Sequence, residues 1–181
     1  CEAGIEVTSL PGAAACITAL TLSGLPTRRF AFEAFLPSDK KERACILQEL
    51  KNETRTIILY EAPHRLVKTL EELYAELGDR KISLCRELTK KHETVFRDTL
   101  SQAIAWYKEN PPKGECVMVL AGRPREELVL EERQKWENMS LEEHLAIYEK
   151  EGMSRKDAMK QVAKDRGIRK RDVYQALLNQ E

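Results

Sequence analysis

The sequence is poor in the features that mark metal sites, disulfide frameworks and membrane spans. Its five cysteines are scattered over 181 residues without a C-x-x-C pair, so no metal site is predicted. Their odd number also argues against a framework of disulfides. No run approaches the roughly 18 apolar residues of a membrane span, and no signal peptide is recognised. We therefore expect a reduced, cytoplasmic protein that is not bound to a membrane.

The chain has no net charge, because 30 Lys and Arg residues balance 30 Asp and Glu residues. This balance argues against a uniformly basic nucleic-acid-binding coat. The charges are nevertheless segregated along the chain. Between Glu126 and Glu149 there are eight acidic and two basic residues, whereas from Lys150 to Asp172 there are nine basic and four acidic ones. The reversal predicts a domain boundary.

Strand-like and helix-like patterns alternate along the first two thirds of the chain. Such alternation predicts a three-layer α/β domain with a largely parallel or mixed sheet, which we assign to residues 1–122. Trp106 lies on an amphipathic helix of this domain and is predicted to be in its core. A polar, acidic segment at 123–138 is predicted to be a linker. Residues 139–181 show three short helical patterns, of which the last two resemble a helix-turn-helix pair.

A run of small residues, Leu10-Pro11-Gly12-Ala13-Ala14-Ala15, joins a predicted strand at 5–10 to a predicted helix at 13–23. Small side chains let a ligand approach the backbone, and the start of a helix offers free amide groups. A tight turn with close packing of helix on sheet explains the same residues equally well. The turn is not a dinucleotide fingerprint, because G-x-G-x-x-G is absent.

The segment Tyr60-Glu61-Ala62-Pro63-His64-Arg65 places four kinds of polar group at the end of an apolar, buried strand. Ligands of α/β sheets bind outside the carboxyl ends of strands, and these groups suit a general base, a ribose acceptor or a phosphate clamp. Taken alone, the segment slightly favours a simpler explanation, in which a Glu61–Arg65 ion pair braces the corner.

A second apolar strand ends in Arg86-Glu87-Leu88-Thr89-Lys90-Lys91-His92-Glu93. Its basic residues suit the neutralisation of phosphates, and its glutamates suit the orientation of those basic residues. A solvated loop with weak surface ion pairs is the alternative. The functional interpretation is favoured here, because the preceding polar cluster is predicted to lie at the same end of the sheet.

Basic residues are concentrated in the last two helical patterns, where they suit a face that contacts phosphates. Tyr174 lies among them and suits stacking on a base. A solvated helical face explains the same run equally well. The basic residues are Arg155, Lys156, Lys160, Lys164, Arg166, Arg169, Lys170 and Arg171.

Five short motifs occur in the order and spacing of one known family. They are Leu10-Pro11-Gly12, Ser23-Gly24-Leu25-Pro26-Thr27, Tyr60-Glu61-Ala62-Pro63-His64-Arg65, Arg86-Glu87-Leu88-Thr89-Lys90 and Pro112-Lys113-Gly114-Glu115. The chain resembles the bacterial small-subunit ribosomal RNA (cytidine-2′-O-)-methyltransferases, which belong to the tetrapyrrole methylase superfamily. The resemblance implies the mixed-sheet carboxy-terminal domain of that fold, followed by a small all-helical domain. The family usually has a serine in the first turn where this chain has Ala14, so a hydroxyl is missing there.

The resemblance also implies a methyl donor, S-adenosylmethionine, and assigns roles to particular positions. Donor contacts are implied at Pro11, Gly12, Ala13, Ala14, Ala15, Tyr60, Glu61, Leu120, Ala121 and Gly122. Our hypothesis is that Lys90, Glu87 or His64 lies near the reacting ribose hydroxyl; the alternative is a base supplied by a domain missing from this chain. RNA contacts are expected from Arg65, Arg86, Lys91, Arg155, Lys156, Arg169, Lys170 and Arg171.

Such enzymes begin with a further α/β domain, which the resemblance implies is missing from this chain. We therefore expect the chain to be inactive alone and to need that domain as its partner. The complete protein is expected to act as a homodimer on small-subunit ribosomal RNA or the 30S subunit. Two other functions stay open: methylation of a tetrapyrrole ring, against which the basic tail argues, and RNA binding without catalysis.

Overall fold

The structure is a computed structural model that describes residues 2–4 and 12–178. The described residues form helices, strands and a short 3-10 turn at Pro63–Arg65. The strands are β1 (Phe30–Phe35), β2 (Thr56–Glu61), β3 (Lys81–Arg86), β4 (Thr94–Thr99) and β5 (Cys116–Leu120). The helices are α1 (Ala15–Ser23), α2 (Lys40–Leu50), α3 (Leu66–Leu77), α4 (Leu100–Glu109), α5 (Arg125–Glu137), α6 (Leu141–Lys150), α7 (Arg155–Arg166) and α8 (Lys170–Leu178). The strand predicted at 5–10 lies outside the described residues.

Local signals in the sequence fix the ends of several helices. The Asp39 carboxylate accepts hydrogen bonds from two backbone amides at the start of α2, and the Thr99 hydroxyl accepts one at the start of α4. Gly24 ends α1 in the left-handed conformation, with φ of 75°. The two side-chain caps satisfy amide groups that the first turns of the helices leave free, and the glycine lets the chain leave α1, so the elements begin and end close to where the sequence predicts.

The five strands form one mixed sheet in the order β1-β2-β5-β3-β4. β1 and β2 are parallel, whereas β5 is antiparallel to both β2 and β3, and β4 is antiparallel to β3. β1, β2 and β3 therefore end at one edge of the sheet, where β4 and β5 begin. We call this the carboxyl edge. The observed α/β class with a mixed sheet confirms the prediction.

Helices cover both faces of the sheet. On one face, apolar residues of α2, α3 and α4 pack against alternate strand residues such as Ile57, Leu59 and Met118. On the other face, Ala19 and Leu20 of α1 pack against the intervening residues, among them Ile58 and Val119. Strands that are buried on both faces have near-continuous apolar sequences, as β2 and β5 do. The arrangement is the predicted three-layer domain.

The contacts divide the chain into two compact units, Cys1–Arg123 and Pro124–Glu181. The first unit contains the sheet, and the second contains α5 to α8. A separate apolar core holds the second unit together, formed by Leu145, Ala158, Val162, Ala163, Val173 and Leu177. Gly167 ends α7 with φ of 64° and leads into α8, as a helix-turn-helix pair requires. Within the described residues, no helix combines the length and apolarity needed to cross a membrane.

The segment 123–138 differs from the prediction of an acidic linker. Most of it forms α5, which packs against α7 in the second unit. Trp136 stacks on the His144 ring with a centroid distance of 3.8 Å, and the Arg133 side chain lies against Gly167. Isolated contacts of this kind leave no helical periodicity in the sequence. The polar sequence of the segment therefore did not predict a helix.

Candidate active site

A cavity of about 330 Å³ opens at the carboxyl edge, on the face of the sheet that α1 covers. Its volume is at the lower end of the range for small-molecule sites. Apolar side chains provide part of the wall, namely Ala15, Phe35, Tyr60, Leu88 and Val117. Three charged side chains, Glu87, Lys90 and Glu115, provide the polar part. Four residues predicted for the site therefore lie around one cavity: Ala15, Tyr60, Glu87 and Lys90.

Tyr60 and Glu61 face opposite sides of the sheet, because successive residues of a strand alternate. The Tyr60 ring borders the cavity, where burial raises the pKa of its hydroxyl and a hydrogen bond with Cys16 adds to this effect. The Glu61 side chain instead lies in the core, with only 2% of its surface exposed. The predicted contact between Glu61 and the donor is therefore wrong for its carboxylate.

The Glu61 carboxylate belongs to a buried network that supports the corner after β2. Its Oε2 accepts a hydrogen bond of 2.5 Å from the Thr69 hydroxyl and lies 4.0 Å from the Arg43 guanidinium. Its Oε1 lies 3.8 Å from Arg65 Nε. The simpler explanation in the sequence analysis, a Glu61–Arg65 pair that braces the corner, matches this geometry.

The loop after β3 has an unusual backbone. Glu87 and Thr89 have φ of 52° and 63°, which is rare outside glycine and a true outlier for a β-branched residue. The Thr89 amide donates to the Glu93 carboxylate at 2.7 Å, and two backbone hydrogen bonds close the turns at Lys90 and Glu93. Strained backbone of this kind clusters at functional sites. The loop thereby holds the Glu87 and Lys90 side chains at the cavity.

Glu87 and Lys90 form an ion pair over Gly114. Lys90 Nζ lies 3.2 Å from Glu87 Oε1. A Cβ atom on Gly114 would lie 2.8 Å from Glu87 Cδ and closer still to Oε1, and Gly114 also has φ of 79°. Glycine is therefore required at 114 if the Glu87 carboxylate is to keep its position.

Two buried thiols border the inner end of the cavity. Burial raises the pKa of Cys85 and raises that of Cys116 to about 12. A thiol with a raised pKa stays protonated, and the thiolate is the nucleophilic form. The chemistry of the cavity therefore depends on its carboxylates, its lysine and its tyrosine.

Leu120, Ala121 and Gly122 lie at the opposite edge of the sheet, because β5 is antiparallel to β2. Leu120 pairs with Ile57 at the start of β2, while Cys116 pairs with Glu61 at its end. Gly122 lies against the backbone of Thr54 and Arg55. The prediction that these three residues share a site with Tyr60 is therefore wrong. These contacts were implied by the family resemblance, and the apolar sequence of β5 does not reveal the direction of the strand.

The other predicted residues of the first unit that the structure describes also lie outside the cavity. His64 is exposed on the 3-10 turn after β2, and Arg65 faces α2, where it donates to the Ser38 hydroxyl at 3.4 Å. Arg86 donates to the Thr94 hydroxyl and to the Lys113 carbonyl, at 3.2 and 3.3 Å. Lys91 is exposed in the loop after β3. The turn residues Gly12, Ala13 and Ala14 are exposed just before α1, and Pro11 lies outside the described residues.

The predicted cations of the second unit fall into two groups. Arg155 and Arg169 pair with carboxylates, at 3.7 Å from Glu149 and 3.1 Å from Asp172. The other three are exposed, and the ion pairs given for the described residues do not include them. These are Lys156, Lys170 and Arg171.

Glu115 borders the cavity and Gly114 lies against the Glu87 side chain, although the sequence motif that contains them suggested no role for either. Both precede β5 and reach the carboxyl edge because that strand begins there. The signal available in the sequence was the Pro-Pro-Lys-Gly turn directly before an apolar run. Trp106 was also misjudged: it was predicted to be in the core, but 53% of its surface is exposed.

Comparison with known families now adds to this geometry. Residues 1–104, more than half of the chain, match the family model of the tetrapyrrole (corrin/porphyrin) methylases. The chain therefore belongs to the tetrapyrrole (corrin/porphyrin) methylase family. This membership confirms the superfamily that the five sequence motifs indicated.

Among curated proteins, the chain is similar to several named ribosomal RNA small subunit methyltransferase I. It is 46% identical over 171 residues to the one from Halalkalibacterium halodurans, a match to 94% of the chain and 58% of that relative. It is 45% identical over 175 residues to the one from Bacillus subtilis, a match to 97% of the chain and 60% of that relative. The chain thus spans about three fifths of the length of these relatives.

Among solved structures, the chain is similar to that of the methyltransferase CobJ. It is 21% identical, with a TM-score of 0.49 over 66% of this chain and 52% of that chain.

Proposed function

We propose that this chain forms part of an S-adenosylmethionine-dependent methyltransferase that acts on the ribose 2′-oxygen of a cytidine in small-subunit ribosomal RNA. One observation carries the proposal: relatives named ribosomal RNA small subunit methyltransferase I match nearly the whole chain at about 45% identity. The cavity at the carboxyl edge is the site we assign to this activity.

The residues around the cavity suit S-adenosylmethionine. Ala15, Val117 and the Tyr60 ring offer a small, largely apolar surface on which a planar adenine packs well. The Glu87 and Glu115 carboxylates attract positive charge, which the donor carries on its sulfonium and ammonium groups. When bound, the donor supplies an electrophilic methyl group for transfer to an oxygen.

Glu87 is the residue we assign to the reacting hydroxyl. A carboxylate accepts hydrogen bonds, so Glu87 can hold the ribose hydroxyl and take its proton as the new carbon–oxygen bond forms and the carbon–sulfur bond breaks. The Lys90 ammonium can only donate. Its ion pair at 3.2 Å orients the Glu87 carboxylate, and its exposed side chain can also reach an RNA phosphate. His64 has no part in this assignment, because it does not border the cavity.

RNA phosphates are assigned to both units of the chain. In the first unit we keep Arg65, Arg86 and Lys91 as phosphate contacts. In the second, Lys156, Lys160 and Lys164 follow one another at intervals of four residues and so lie along one face of α7. All three are exposed, and the ion pairs given for the described residues do not involve them. Together with Lys170 and Arg171, they form a face suited to a nucleic-acid backbone.

The proposal is tested by the Glu87→Gln variant of the full natural protein. Glutamine keeps the shape of the side chain but cannot take up a proton. We expect the rate of methyl transfer to small-subunit ribosomal RNA to fall about 100-fold or more. The affinity for S-adenosylmethionine, measured by calorimetry, is expected to change far less than this rate.

Glu42→Gln is the matched control, because Glu42 is exposed on α2, away from the cavity. It is expected to transfer methyl groups at the original rate. If Glu87→Gln were as active as Glu42→Gln, Glu87 would have no part in the chemistry. If the unaltered protein neither bound the donor nor methylated the RNA, the whole proposal would fail.

Methylation of a tetrapyrrole is the second candidate, and the family model that matches the chain favours it. The same transfer assay with a porphyrin precursor in place of RNA distinguishes the two. We expect no transfer to the precursor, because binding a small macrocycle does not require the basic, phosphate-binding face of the second unit.

Two further predictions accompany this proposal. The complete protein is expected to be a homodimer, which sedimentation equilibrium tests. It is expected to be cytoplasmic, as an enzyme acting on the small ribosomal subunit must be.

A further inference from the structure

A groove of about 470 Å³ lies between β4 and α4, on the face of the sheet away from the cavity. Its most exposed aromatic residue is Trp106 of α4, which stacks on Phe96 of β4 with a centroid distance of 6.4 Å and an interplanar angle of 26°. Phe96 also packs edge-on against Tyr107. The Trp106 ring therefore packs on Phe96 while 53% of the residue's surface is exposed to solvent.

The end of the groove at the carboxyl edge carries a guanidinium group. Arg86 borders the groove and donates to two neutral acceptors, the Thr94 hydroxyl and the Lys113 carbonyl. Within residues 2–4 and 12–178 Arg86 forms no ion pair, so no carboxylate of this part of the chain matches its charge. A planar aromatic surface beside such a cation is complementary to a nucleotide, which offers a base to stack and a phosphate to pair.

The groove and the cavity meet at consecutive residues of the chain. Arg86, the last residue of β3, points to the groove, and Glu87 points to the cavity. Their α-carbons are about 3.8 Å apart. A polynucleotide that places one ribose at Glu87 can therefore cross the carboxyl edge and place a neighbouring nucleotide in the groove.

We propose that the groove between β4 and α4 binds an unpaired base of the RNA substrate, stacked on Trp106, with the adjacent phosphate on Arg86. This inference rests on the proposed function, because it takes the ligand of the cavity to be part of an RNA strand. It assigns the groove to substrate positioning, at a nucleotide next to the one that is methylated.

Methylation kinetics of the full natural protein provide the first test. Trp106→Ala removes the stacking surface, and we expect the KM for ribosomal RNA to rise about tenfold or more with kcat changed less than about threefold. Trp106→Phe keeps an aromatic face and is expected to stay within about threefold of the original KM. Tyr74→Ala is the control: Tyr74 is 43% exposed on α3, outside both the groove and the cavity.

Fluorescence gives a second test that needs no catalysis. This chain has two tryptophans, so Trp136→Phe made in this chain leaves Trp106 as its one tryptophan reporter. A short, unstructured oligoribonucleotide is expected to quench Trp106 emission to saturation. The same oligonucleotide annealed to its complement is expected to quench far less, because its bases are already stacked and paired.

Unchanged KM in Trp106→Ala, with no quenching by the single strand, would overturn the inference even while methyl transfer is normal. Trp106 emission that changes with protein concentration but not on addition of RNA would also overturn the inference, because a second copy of the chain would then cover Trp106. Saturable quenching without any methyl transfer would instead support base binding and contradict the proposed function.

Discussion

At the scale of single residues, Gly114 determines where the Glu87 carboxylate lies. Gly114 and Gly24 both have positive φ, 79° and 75°, but only at Gly114 would an added Cβ meet another group. Gly24→Ala therefore introduces backbone strain alone, whereas Gly114→Ala adds a collision with Glu87. The pair of variants separates these two effects.

We expect Gly24→Ala to lower the free energy of unfolding by about 1–2 kcal/mol and to leave the kcat for methyl transfer nearly unchanged. Gly114→Ala is expected to lose at least as much stability and, in addition, about tenfold or more in kcat, because Glu87 is displaced. Urea denaturation and the transfer assay measure both quantities. Equal kcat in the two variants would mean that the position of Glu87 does not matter for the reaction.

For single residues, the sequence predicts which chemical groups lie at the strand ends better than it predicts the direction in which their side chains point. The sequence places ionisable side chains at the ends of β2 and β3, and of these Glu87 and Lys90 do lie together at the cavity. Tyr60 and Glu61 could not be told apart, because both faces of β2 are buried and its sequence shows no alternation. Only the packing of Thr69 and Arg43 on one side assigns Glu61 to the core.

At the scale of elements, the direction of β5 explains the largest error in the predicted site, which is the inclusion of Leu120, Ala121 and Gly122. An apolar five-residue strand reads alike in either direction, so the sequence did not reveal that β5 begins at the carboxyl edge. Because β5 is antiparallel to β2, Leu120 to Gly122 lie away from the site, Glu115 borders it, and Gly114 lies under the Glu87 side chain. The register of β2 with β5 was needed to see this exchange.

The helices of the second unit contain a titratable group that the sequence did not mark. His144 of α6 is fully buried between the Trp136 ring and Arg166. Its Nδ1 accepts from Arg166 Nε at 3.2 Å, and Asp165 lies 3.5 Å from Nε2. Burial lowers the pKa of His144, and the nearby Arg166 charge lowers it further, against the opposing effect of Asp165.

A lowered pKa means that the unfolded state binds the proton more readily than the folded state. The stability of the second unit is therefore expected to be complete above the unfolded pKa of about 6.5 and to fall as the pH drops below it. Urea denaturation of the Trp106→Phe protein, followed by Trp136 emission at about pH 7.5 and about pH 5.5, measures the loss. In His144→Phe, which keeps a stacked ring, this loss is expected to shrink. An equal loss in both proteins would assign the pH dependence to other groups.

At the scale of the whole molecule, the alternating patterns predicted the α/β class, whereas the charge pattern did not predict where the chain divides. The reversal of charge after Glu149, which was expected to mark a domain boundary, falls inside the second unit. The boundary between the units instead falls between Arg123 and Pro124, because α5 belongs to the second unit. Single residues such as Trp136 make the contacts that hold this helix in the second unit. Such contacts produce no repeating pattern in the sequence from which the helix could be predicted.

The central claim is that a cavity at the carboxyl edge serves methyl transfer to a ribose of small-subunit ribosomal RNA. The most direct measurement incubates the full natural protein with isotope-labelled S-adenosylmethionine and unmodified small-subunit RNA. The RNA is then digested to nucleosides, which are identified by mass spectrometry. The account predicts labelled 2′-O-methylcytidine, strongly reduced in Glu87→Gln. A label on a base, or a label found only on a porphyrin precursor offered in parallel, would contradict it.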